Sequence, residues 1–113
     1  MEKIEVKNHE QRIADFIADA EKLGIADDFL FASTLERYAT LVTISERMQR
    51  EISESALTAT KSYSAGTSNL YASPLLGEYN RTCASADRAC ALLSKLIEAA
   101  RKRADAFDED DEL

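Results

Sequence analysis

The chain has 113 residues and a net charge of −7, with 45% hydrophobic and 31% charged residues, three glycines, one proline and no tryptophan. That profile fits one helix-rich domain with a modest core. No apolar run approaches about 20 residues and residues 1–5 lack an apolar leader region, so the expectation is no membrane partner and, by default, the cytosol.

Residues 1–7 are polar and expected to fray. A first helix is predicted over 8–23. Asn8 stands at its N-cap with Gln11 three residues on, the spacing of a capping box. Ile13, Phe16, Ile17, Ala20 and Leu23 recur at helical spacing and make its apolar stripe. Gly24 follows as a left-handed C-cap. His9, the one histidine, sits at the helix start and is assigned no role.

A second helix is predicted over 28–54, capped by Asp27 or Asp28. Its seam is Phe31, Leu35, Tyr38, Val42, Ser45, Met48 and Ile52, broken only by Ser45 and widened by Leu30, Leu41 and Ile44. Residues 56–72 read differently. Leu57, Ala59, Lys61 and Tyr63 alternate with Thr and Ser, and Gly66 interrupts them. This is the pattern of a small β-hairpin or an irregular connection.

The third helix, predicted over 73–104, organises the chain. Ser73 is its expected N-cap and Pro74 its first residue, where a missing N–H costs nothing. Leu76, Tyr79, Cys83, Ala86, Cys90, Leu93, Ile97 and Ala100 form an unbroken heptad seam that continues through Ala104 and Phe107. A helix this long spans about 50 Å, more than the short first helix can cover. The seam therefore favours self-association over a monomeric three-helix core. Cys83 and Cys90 lie too far apart along one helix to bridge, and read as small core residues. Residues 105–113 carry six acids and no base, and are expected to be a disordered tail. The predicted architecture is mainly α: one helical domain over 1–104, with a short N-terminal helix and a long antiparallel helical hairpin.

Opposite the seam, Arg81, Arg88, Lys95 and Lys102 recur every seven residues. They make a cationic row with a pitch of about 10.5 Å, suited to a polyanion or simply to water. Charge is segregated along the chain: residues 1–30 carry net −4, residues 31–104 net +3, and residues 105–113 net −6. The negative total therefore does not exclude a nucleic-acid partner.

Catalytic machinery is missing from the sequence. It holds no glycine-rich phosphate loop, no Cys/His cluster at zinc spacing, no nucleophile paired with a histidine, and no calcium-loop pattern in the tail. The expectation is a non-enzymatic binding and assembly protein, with no catalytic or metal-ligating residue and no cofactor.

The Leu23-Gly24-Ile25 turn, the segment Leu70-Tyr71-Ala72-Ser73-Pro74-Leu75-Leu76, then Tyr79-Asn80-Arg81 and Leu92-Leu93-Ser94-Lys95-Leu96, resemble the small terminase subunits of tailed bacteriophages over roughly Ile13 to Ile97. Two features depart from that family. Ser73 precedes the proline where Asn or His is frequent, and Leu96-Ile97-Glu98-Ala99 continues as helix where a Leu-Gly-Leu turn is common. The resemblance implies a DNA-packaging subunit in the cytoplasm of an infected bacterial host. Such a subunit assembles into a homo-oligomeric ring, binds double-stranded viral DNA and recruits a large ATPase/nuclease subunit. On that basis Arg81, Arg88, Lys95 and Lys102 become candidate DNA contacts and the seam an oligomerisation surface. Asp108, Glu109, Asp110, Asp111 and Glu112 become a tether for the large subunit, or otherwise a solubility tail. The competing class is a small acidic helical adaptor or inhibitor that occupies a basic protein surface. The basic outer row of the third helix counts against it.

Overall fold

A computed structural model describes residues 7–62 and 74–111, with side chains at 7–55 and 74–107. The chain is mainly α, with three helices: α1 (His9–Leu23), α2 (Phe29–Ser62) and α3 (Pro74–Asp111). No strand occurs among the described residues.

Local chemistry fixes the ends of α1. The Asn8 side chain accepts from the Gln11 backbone N–H at 2.9 Å, and the Gln11 side chain accepts from the Asn8 N–H at 3.1 Å. Two otherwise orphaned donors are thereby satisfied. Gly24 turns the chain at φ 76, a conformation that costs a residue with a Cβ. The Ile25 N–H then reaches back to the Ala20 carbonyl at 2.9 Å, which buries Ile25 beneath the turn. Asp28 takes the N-cap position of α2, its carbonyl accepting from the Ala32 N–H.

Both long helices exceed their predicted ends. α2 runs to Ser62 rather than stopping at 54. Residues 56–62, read as a connection or β-hairpin, are therefore helical; the rest of that segment and the expected Ser73 cap lie outside the described residues. The alternation of Ser and Thr misled because these residues are only mildly unfavourable in a helix, and no glycine or proline intervenes before Gly66. α3 begins at Pro74 as expected but runs to Asp111 instead of 104. The tail expected to be disordered is helical through 111. Ala104 and Ala106 favour the helix and no breaker follows them, which outweighs unfavourable carboxylates at a C-terminus.

The chain divides into two compact units. The first comprises Met1–Ala39 and Arg88–Leu113, hence α1, the start of α2 and the larger part of α3. Its core is Ala20, Ile25, Phe31, Thr34, Tyr38, Ala89, Leu93, Ile97 and Ala100, all buried. The second comprises Thr40–Asp87, hence the rest of α2 and the start of α3. Among its described residues only Val42, Ser45 and Ala86 are buried. Ser45, the polar break in the seam, donates its hydroxyl to the Val42 carbonyl at 2.8 Å and so enters the core without an unmet hydrogen bond.

Candidate functional site

The cationic row lies on the continuous helix α3. Arg81, Arg88, Lys95 and Lys102 are all exposed, Arg81 in the second unit and the others in the first. Exposed Ala84 and Ala91 stand between successive cations, so short side chains separate long ones. A Cβ added at Gly77 would lie 3.5 Å from an Arg81 guanidinium nitrogen, which places that guanidinium back along the helix over the glycine. Lys102 pairs with Glu98 one turn earlier at 3.6 Å; both are exposed, and such a pair adds little to stability.

The seam of α3 has three fates. Ala86, Leu93, Ile97 and Ala100 are buried; Leu76, Tyr79, Cys83 and Cys90 are half-buried; Ala104 and Phe107 are exposed, Phe107 at 68%. Both cysteines are free. The neighbouring Cys83 thiol, by hydrogen bonding to it, raises the Tyr79 hydroxyl above its ordinary range. Of the acidic residues read as a tether, 108–111 are helical in backbone. Glu112 lies outside the described residues.

One cluster escaped the sequence reading. Tyr38 of α2 is buried and gathers His9 and Arg12 of α1 and Cys90 of α3 around its hydroxyl. His9 Nδ1 is 3.3 Å from the hydroxyl, and its ring stands edge-on to Tyr38 at 6.3 Å. Phe16 also meets the Tyr38 ring edge-on at 6.3 Å. Burial pushes the Tyr38 hydroxyl above its ordinary value despite the opposing pull of the Arg12 guanidinium. The Arg12 guanidinium donates to the Tyr38 hydroxyl oxygen, and that bond raises Arg12 above its ordinary value. The histidine given no role is therefore half-buried and packed against a core tyrosine. One helical turn before Tyr38, the fully buried Thr34 hydroxyl has no hydrogen-bond partner. The signal available in the sequence was Arg12 one turn before Phe16, at the border of the apolar stripe of α1, where a half-buried cation needs a polar partner.

Two exposed ion pairs attach to α1, Lys7 to Asp15 and Arg101 to Asp19, the latter at 3.3 Å. The Asp15 carboxylate, as hydrogen-bond partner and neighbouring charge, holds the Lys7 ammonium above its ordinary value. Arg12 meets Cys90 and Asp19 meets Arg101, so α1 and α3 run in the same direction within the first unit.

Among the described residues, no three His, Cys, Asp or Glu side chains converge as a metal site, and no helix is long and apolar enough to cross a membrane. The Tyr38 hydroxyl interacts with His9, Arg12 and Cys90 between the helices of the first unit. Comparison with family models, with curated proteins and with solved structures found no match.

Proposed function

We propose that this chain is a non-catalytic, self-assembling helical subunit that presents the Arg81, Arg88, Lys95 and Lys102 row to double-stranded viral DNA, after the manner of a small terminase subunit. The observation that carries the reading is the row itself: four exposed cations at a seven-residue repeat on one continuous helix. Their phosphate contacts would be weak singly and would sum when copies close into a ring. In this reading α2 and α3 form the long antiparallel hairpin of each subunit. The acidic end of α3 recruits or regulates the large packaging subunit, in the cytoplasm of the infected host.

A second reading rests on Phe29, 86% exposed beside Asp27 and Asp28, and on Phe107 beside Asp105. Exposed aromatics bordered by acids suit an adaptor or inhibitor docking onto a basic protein surface. The row decides between the two. Replacing Arg81 and Arg88 together by Glu is expected to weaken DNA retention about tenfold or more at low salt and to flatten its salt dependence. The native mass should stay unchanged. Equal retention by variant and parent in a gel-shift titration would sink the DNA reading and leave the adaptor.

A further inference from the structure

In the first unit α1 lies on one flank of the α2–α3 pair, and the opposite flank carries a different chemistry. Gly24 turns α1 back along α2, whose Tyr38 meets His9, Arg12 and Phe16 of α1. α3 runs parallel to α1, with Cys90 and Arg101 against Arg12 and Asp19. Within this unit α2 is therefore antiparallel to both. At about 3.6 residues per turn, the flank of α3 turned away from α1 carries Leu92, Leu96, Ala99 and Arg103. The matching flank of α2 carries Leu30 and Arg37. Leu30 is 50% exposed, Arg37, Ala99 and Arg103 are exposed, and Leu92 and Leu96 are half-buried. Arg88 and Lys95 of the cationic row follow one step further round α3. The acids fall elsewhere: Glu98 and Asp105 toward the α1 side of α3, and Glu36 on the outer side of α2.

We infer that this flank is a docking groove for an acidic amphipathic helix of another protein. The inference goes beyond the DNA reading and is carried by other cations, Arg37 and Arg103. Leu30, Leu92 and Leu96 give the groove an apolar floor for side chains at helical spacing. Cations on both helices frame it, so the complementary partner carries carboxylates along both edges of its apolar face. α1 shows the same mode on the opposite flank. It carries four acids (Glu10, Asp15, Asp19, Glu21) against two bases (Arg12, Lys22). Its Ala20 is buried while Asp19 reaches Arg101 at the rim. From Leu92 to Arg103 the strip runs about 16 Å, three turns of helix. A phosphate backbone would neutralise the cations but bring nothing apolar to the leucines, which selects a peptide over nucleic acid.

The probe is a fluorescein-labelled synthetic helix with Leu at i, i+4, i+7 and i+11 and Glu at the flanking positions. It is titrated with the intact chain at low salt and followed by anisotropy. The chain's net charge is −7, so capture of an acidic peptide reports a local basic face. The amphipathic peptide should bind saturably, and one of equal composition with scrambled leucines at least about tenfold more weakly. Arg37→Glu together with Arg103→Glu should weaken the amphipathic peptide about tenfold or more. Leu30→Ser should weaken it by a smaller factor, with circular dichroism unchanged in both variants. Arg81 lies outside the groove, so Arg81→Glu should lower DNA retention and leave peptide affinity within about twofold, which separates this inference from the DNA reading. Absent binding, or equal binding of the scrambled peptide, would overturn the groove. Unaltered peptide affinity in the Arg37→Glu, Arg103→Glu variant alongside lost DNA retention would assign this flank to nucleic acid and overturn it too.

Discussion

The first unit and the second share α2 and α3, yet among the described residues most of the buried side chains belong to the first. In the first, three helices converge on Tyr38, and its phenol ties His9, Arg12 and Cys90 together. Among the described residues of the second, Val42, Ser45 and Ala86 are buried and Met48, Ile52, Leu76, Tyr79 and Cys83 are half-buried. The difference is not in the heptad pattern, which passes from one to the other without a break. It lies in α1, which belongs to the first unit alone: Gly24 ends it and turns the chain into α2.

The comparison breaks most sharply under truncation. Leu93 is fully buried, and Leu93→Ala should cost about 3 kcal/mol, the range found for leucines that leave a cavity. Leu76→Ala should cost about 1 kcal/mol in dilute solution, where its half-exposed side chain loses less burial. Urea titration of both variants checks the contrast. The cost at Leu76 should grow with protein concentration, because association adds to stability by mass action.

A smaller effect sharpens the account of the first unit. The Tyr38 hydroxyl ionises above its ordinary value, chiefly because it is buried. In the unfolded chain the same group ionises near pH 10, so above that pH the unfolded state releases its proton first. The stability tied to the neutral phenol is whole below about pH 10 and is lost as pH rises through the folded value. Thermal melts between pH 9 and 11 should show this decline, and Tyr38→Phe should flatten it. An equal slope in the variant would remove Tyr38 as the cause.

Much of the fold was legible because single residues dictated it. Asn8 with Gln11, Gly24 and Pro74 marked helix boundaries through caps and missing donors, and the structure places them as read. The ends lacking such a residue were misjudged. Nothing after Glu54 or Ala104 forbids helix, so α2 reaches Ser62 and α3 reaches Asp111. Periodicity showed which faces are apolar but not how many helices would cover them. The half-burial of Leu76 and Cys83 beside the full burial of Leu93 needed coordinates. The basic row was legible, since a seven-residue repeat puts its members on one face. The Tyr38 cluster was not, because it joins three helices far apart in sequence.

The most direct test is the native mass across a wide concentration range, by light scattering or native mass spectrometry. The account predicts a closed multiple of the 12.5 kDa subunit that dissociates on dilution and fails to form in Leu76→Asp. A parent chain that stays monomeric at high concentration would contradict it.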